Sequence, residues 1–173
     1  MLATVEALGA DIAVAGLALA DFGDLKGRGE RLTIPCGDGE ALIIDESYNA
    51  NPASMAATLR SLGNEQGAQR RLAVLGPMRE LGAHSDALHA GLAAEVIAAK
   101  IDRLILLGNE TRALESALDG RVAINRAQDV DHAARILADQ LRPGDVVLIK
   151  ASNSVGLARL VDQVAGEPAT CST

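Results

Sequence analysis

The sequence predicts an α/β domain: a Rossmann-like three-layer fold around a mostly parallel six-stranded sheet with one antiparallel strand. Three observations predict it. Short apolar runs alternate with amphipathic stretches five times between residues 42 and 164. Runs such as Val146-Val147-Leu148-Ile149 are apolar on both faces, as strands covered by helices on two sides must be. Two apolar runs before the first helix are joined by Cys36-Gly37-Asp38-Gly39, a hairpin signal that supplies the antiparallel strand.

Residues 1–24 read as two helices. Leu2, Val5 and Leu8 form one stripe, closed by Gly9. Asp11 suits the cap of a second helix carrying Val14, Leu17 and Phe22. These helices have no strand of their own to cover, so they read as the end of something larger. The glycine-rich, charged stretch GDLKGRGE at 23–30 reads as an interdomain linker. The hairpin pairs residues 32–35 with 41–45. Strand 42–45 then precedes helix 52–62, strand 72–75 precedes helix 85–99, and strand 104–107 precedes helix 110–118. Strand 122–124 precedes helix 130–141, and strand 146–149 precedes helix 154–164. The tail, 167–173, is small and polar and is expected to fray. The domain boundaries predicted are therefore 1–26, 27–166 and 167–173.

Composition narrows the function. The 173 residues are 49% hydrophobic, enough for a real core, and carry a net charge of −7. One Tyr, one Phe and no Trp leave neither the basic patch nor the stacking rings of a nucleic-acid binder. No apolar run approaches the roughly 20 residues that span a bilayer. No early basic residue marks a secretory signal. Cys36 and Cys171 lie far apart with no metal-ligand spacing, so neither a disulfide framework nor a zinc site is expected, and a cytoplasmic setting fits. His84, His89 and His132 form no ligand cluster and read as surface or capping residues.

In open α/β sheets, ligands bind beyond the carboxyl ends of the strands. The loop after the first parallel strand, Asp45 to Pro52, holds two carboxylates, a hydroxyl, two amides and the chain's single tyrosine. Asn51 before Pro52 suits a helix cap, so a well-capped turn is one reading. A platform for a planar ligand, built on Tyr48, is the other. Lys150, at the end of the last strand, either extends into solvent or meets an anion. Arg28 lies between two glycines, as a linker charge or as a side chain presented at a domain boundary. Arg79 and Glu80 form either a solvated pair or a specificity element in a long loop. There is no G-x-x-x-x-G-K-[ST] phosphate loop and no G-x-S-x-G elbow, so the chain holds no self-contained catalytic set.

At DESYNANPASM, residues 45–55, the chain strongly resembles the signature opening the C-terminal domain of the D-alanyl-D-alanine-adding ligases of the Mur family. Three more segments resemble family motifs in the same order: GRGE at 27–30, VLGPMRELGAHS at 74–85 and VLIKASNSVGL at 147–157. Two departures stand out. Ala151 occupies a position where the family usually has Gly, and Asn153 one where it often has Arg.

The resemblance implies a C-terminal domain from about residue 30 to 165, preceded by the last helices of an ATPase-type central domain. It places the UDP-binding domain, the phosphate loop and the magnesium site outside this chain, which alone would be inactive and bind no cofactor. The whole enzyme would use ATP and Mg2+ to join D-Ala-D-Ala to UDP-MurNAc-tripeptide through an acyl phosphate, in peptidoglycan precursor synthesis. By position, Arg28, Asp45, Tyr48, Asn49 and Asn51 would face the nucleotide, with Asp45 near the ribose. Arg79, Glu80, Lys150, Ser152 and Asn153 would face the dipeptide. The partners implied are these small molecules, with no nucleic acid or membrane insertion and a monomeric state. Two other classes compete. A phosphorylation-switched domain fails for want of an Asp after the third parallel strand, where the chain reads Leu107-Gly108-Asn109. A stand-alone binding module with the same fold remains open.

Overall fold

The computed structural model describes residue 11 and residues 26–166. The two helices expected over 1–24 and the tail at 167–173 lie outside the described residues. Six strands form one sheet: β1 (Glu30–Cys36), β2 (Gly39–Glu46), β3 (Arg70–Leu75), β4 (Arg103–Leu107), β5 (Ala123–Ala127) and β6 (Asp145–Lys150). Their order is β1-β2-β6-β3-β4-β5. Only the β1–β2 hairpin is antiparallel, and every other pairing is parallel.

Among the described residues, six helices cover the sheet: α1 (Pro52–Gly63), α2 (Ser85–Gly91), α3 (Ala93–Ala98), α4 (Arg112–Leu118), α5 (Val130–Gln140) and α6 (Leu157–Gly166). Side chains alternate across each strand, so every inner strand feeds two cores. Ile43, Val74, Ile105, Val147 and Ile149 pack with α5 and α6. Ile44, Ala73, Leu75, Leu104, Leu106 and Leu148 pack with α1, α3 and α4. The chain is thus the three-layer α/β domain expected. No helix among the described residues is long and apolar enough to cross a membrane.

β6 is the centre of the sheet, and all six of its residues are buried. Both of its ends are charged. Asp145 lies opposite Arg70 of β3 and receives its guanidinium through two hydrogen bonds, of 2.8 and 2.6 Å. Lys150 lies opposite Glu46 of β2. A slip of one residue would break both pairs and turn both buried charges to the opposite face of the sheet, so the two pairs favour the observed register of β6 on both sides.

Several boundaries differ from expectation. The helix expected over 85–99 is two pieces, α2 and α3, with Leu92 in a turn after Gly91, a poor helix former. α4 begins at Arg112 rather than 110, because the Thr111 hydroxyl donates back to the carbonyls of Leu107 and Gly108. The last helix begins at Leu157 rather than 154. A 3-10 turn, Asn153–Val155, precedes it and ends on Gly156 at φ +80°. Cys36, fully buried at the end of β1, is disulfide-bonded, which corrects the expectation from cysteine spacing. Spacing along the chain carries no information on a pairing that tertiary approach decides.

The β3 and β6 ends approach closely at Gly76. A Cβ there would lie 2.7 Å from the Cβ of Ala151 and 3.2 Å from Val155. The extra methyl at Ala151 therefore fits because position 76 has none. Gly76→Ala should destabilise the fold by about 1–3 kcal/mol through overpacking. Adding Ala151→Gly should recover much of that loss. Denaturant melts of the single and double variants test this, and equal losses in both would refute the contact.

Candidate functional site

β2 leads into α1 on one face of the sheet, and its neighbour β6 leads into α6 on the other. The chain diverges at their carboxyl ends and leaves a crevice, the place where open α/β sheets hold ligands. A hollow of about 270 Å³ occupies it, lined by Gly27, Arg28, Glu46, Tyr48, Asn49, Asn51, Ser54 and Lys150. Ligand sites usually enclose roughly 300–1,000 Å³, so the hollow is sized as one wall of a larger site.

Lys150 forms its floor. The side chain is 1% exposed, and Nζ donates to the carbonyl of Asn49 at 2.7 Å and to Glu46 Oε2 at 3.3 Å. Burial lowers the lysine pKa, and the Glu46 carboxylate opposes that shift. Of the two readings open in the sequence, a solvent-exposed lysine is excluded. The ammonium also holds the Tyr48–Asn49 turn in place.

Tyr48 is the most exposed large hydrophobic side chain of the described residues, at 47%. The Arg28 guanidinium lies over its ring, 4.2 Å from the centroid, in cation–π geometry. Arg28 can reach it because the segment before β1 is docked on β2. Gly29 N–H donates to Asp45 O at 2.8 Å, and Tyr48 N–H to Gly27 O at 3.0 Å. Gly27 has φ +76°, and a Cβ there would come within 3.0 Å of Tyr48 Cβ. Across the hollow, Asn51 caps α1 as the sequence predicted. Its Oδ1 accepts from Ser54 N–H at 2.8 Å, and Ser54 Oγ accepts from Asn51 N–H at 3.1 Å.

The remaining candidates are placed elsewhere. Asp45 follows Ile44 on β2 and projects to the α5–α6 face, opposite Lys150 and Glu46, with no exposed surface. Its Oδ1 accepts from Ser47 N–H at 2.9 Å, while Oδ2 has no hydrogen-bond partner. Arg79, Glu80, Ser152 and Asn153 gather on the other flank of β6, at the ends of β3 and β6. Ser152 N–H donates to Pro77 O at 3.1 Å, and Ser152 Oγ accepts from Arg79 N–H at 2.9 Å. The Arg79 side chain pairs with Glu110, not with Glu80, which is exposed at φ +65°. Asn153 is exposed at the start of its 3-10 turn.

Two contributors were missed. Glu46 was visible only as half of an acidic pair, and its meeting with Lys150 depends on strand pairing across 104 positions. His89, read as a surface or capping histidine, is instead buried within α2 at 1% exposure. Its ring satisfies a loop amide that no sequence pattern reveals. Among the described residues, no group of three His, Cys, Asp or Glu side chains is placed to hold a metal ion.

The fold and crevice together define a three-layer α/β domain of the kind that takes ligands at its strand ends. The Mur ligase, glutamate ligase domain family matches residues 27–153. The UDP-N-acetylmuramoyl-tripeptide--D-alanyl-D-alanine ligase of Synechocystis sp. is 41% identical over 133 residues, covering 76% of this chain and 29% of that protein. The enzyme of the same name from Mycobacterium leprae is 35% identical over 179 residues, covering 93% and 34%. The crystal structure of MurF ligase from Thermotoga maritima in complex with ADP superposes with a TM-score of 0.76 at 28% identity, covering 96% of this chain and 36% of that one. The chain belongs to the Mur ligase family. It spans about a third of the length of the curated relatives it matches.

The Lys150–Glu46 pair yields a stability test. Removing one partner of a fully buried pair costs about 3–5 kcal/mol. Here Asn49 O still accepts from Lys150, so Glu46→Gln should cost less, about 1–3 kcal/mol at neutral pH. Lys150→Met should cost only about 1 kcal/mol, since it removes the buried charge itself and leaves Glu46 able to reach water. The folded-state lysine pKa lies below 10.5, its unperturbed value. The unfolded chain therefore holds that proton more tightly, and the penalty shrinks as pH rises from the lowered value toward 10.5. Loss of the Glu46 carboxylate lowers the folded-state lysine pKa further, so the deficit of Glu46→Gln relative to the parent should narrow as pH rises through the range just below the parent's lowered value. Melts across alkaline pH check this, and a larger loss in Lys150→Met than in Glu46→Gln would contradict it.

Proposed function

We propose that this chain serves as the C-terminal domain of an ATP-dependent ligase that joins D-Ala-D-Ala to UDP-MurNAc-tripeptide in peptidoglycan precursor synthesis. One observation carries the reading: Arg28 over Tyr48, at the rim of a polar hollow at the β2–β6 divergence. A chain with so few aromatics leaves its one tyrosine exposed where a planar base would stack. The Thermotoga maritima relative was solved with ADP, which supports a nucleotide as the ligand.

In this reading Tyr48 supplies the stacking face, and Asn49 and Asn51 offer amide groups beside it. Arg28 is the cation that leaves the ring for the phosphates when the nucleotide enters. Asp45 contributes the unpartnered Oδ2 to the ribose, which requires the chain around this fully buried residue to shift. Lys150 braces the Tyr48–Asn49 turn and carries positive charge toward the reacting centre. Arg79, Glu80, Ser152 and Asn153, on the far flank of β6, receive the dipeptide. ATP supplies the phosphoryl group that activates the tripeptide carboxylate. The domain closes over that site and keeps water from the acyl phosphate, so that the dipeptide amine is the nucleophile that reaches it. In this reading magnesium is held by the other domains of the enzyme.

The experiment joins this chain to the N-terminal and central regions of the Synechocystis relative. The chain alone should release no phosphate from ATP in the presence of UDP-MurNAc-tripeptide and D-Ala-D-Ala, whereas the fusion should. Turnover by the chain alone would overturn the reading. In the fusion, Tyr48→Ala should raise KM for ATP about five- to a hundredfold, the worth of one base–aromatic stack, with a smaller change for D-Ala-D-Ala. An unchanged KM for ATP would remove Tyr48 from the nucleotide side.

A further inference from the structure

His89 is the only buried residue of α2. Its ring is committed at both nitrogens. The Met78 backbone amide lies 3.0 Å from Nε2 and can only donate, so Nε2 is the acceptor. The ring proton therefore sits on Nδ1, which donates to Ser85 O at 2.7 Å, with Ser85 Oγ 3.3 Å away. Met78 itself is buried in the α1-side core. A leucine at position 89 would fill the space equally well but would leave that buried amide without an acceptor, which is costly.

The Met78 amide sits in the middle of a clasp. On one side Pro77 O accepts from Ser152 N–H, and on the other Arg79 N–H donates to Ser152 Oγ. One residue earlier, Gly76 N–H donates to Lys150 O at 2.9 Å. The loop after β3 is thus held by His89 from the helix side and by Ser152 from the β6 side.

We propose that His89 is a positioning residue: by fixing the Met78 amide it sets the loop after β3 against the loop after β6, and with it the placement of Arg79 and Ser152. The clasp stands on this geometry alone. Its role in dipeptide placement rests on the ligase reading above.

The test begins with the unsubstituted chain. Imidazole 15N signals should report a proton on Nδ1 alone, and a coupling through the hydrogen bond should link Met78 N–H to Nε2. Neither measurement needs a variant that folds. Amide exchange at Met78, Arg79 and Ser152 is then compared in three variants. His89→Ala removes both bonds. His89→Asn reaches only the Nδ1 position. His89→Gln places a carbonyl near the Nε2 position. Ala and Asn should speed exchange at Met78 about five- to a hundredfold and pass a smaller increase to Arg79 and Ser152, while Gln restores most of the protection. In the fusion ligase, His89→Ala should raise KM for D-Ala-D-Ala more than KM for ATP, and His89→Gln should raise it less. A proton on Nε2, or unchanged exchange at Arg79 and Ser152, would overturn the proposal. So would a Gln variant as loose as Ala at equal melting temperature, or equal changes in the two KM values. An inactive unsubstituted fusion would count against the ligase reading and leave the exchange experiment to decide this one.

Discussion

The two charged ends of β6 constrain everything else. A strand of Val146, Val147, Leu148 and Ile149 could pair in several registers, because each residue suits either core. Asp145 and Lys150 remove that freedom. Both are almost fully buried, and each finds its counter-charge only on the strand directly opposite, Arg70 on β3 and Glu46 on β2. Buried charges contribute little net stability, because desolvation offsets their attraction. Their value here is selective: a slip of one residue breaks both observed pairs and turns both charges to the opposite face of the sheet.

Placing β6 between β2 and β3 also creates the site. Both neighbours lead to helices on one face, and β6 leads to a helix on the other. The sheet therefore opens on each flank of β6. On the β2 flank lies the polar hollow with Tyr48, Arg28 and the Lys150 floor. On the β3 flank the loops are drawn together by Ser152, with Gly76 leaving room for Ala151. Lys150 belongs to both, since its side chain braces one loop and its carbonyl receives Gly76 N–H from the other. The two flanks thus share a single residue.

The segment before β1, read as a linker, is part of this arrangement. Residues 27–29 join the end of β2 and the turn after it through two backbone hydrogen bonds and carry Arg28 onto Tyr48. Any rotation about this junction must break those bonds or carry the end of β2 with it. The stack of Arg28 on Tyr48 is an exposed contact of modest energy, so a competing ligand can displace it while the glycine backbone stays docked.

The amino-acid sequence by itself determined the fold class, the order of all six strands along the chain, and the family, because apolar periodicity and the DESYNANPASM signature are local properties. It also placed Asn51 correctly as a helix cap, a contact that spans three residues. Tertiary structure alone decided what depends on distant segments meeting. The sheet order came from packing, and so did the pairing of Lys150 with Glu46, which the chain separates by 104 positions. Asp45 and Glu46 are adjacent and chemically alike, yet the strand's two-residue repeat sends one into the α5–α6 face and the other into the hollow. His89 went unread for the same reason: its partner is a backbone amide, and backbone amides leave no trace in a sequence.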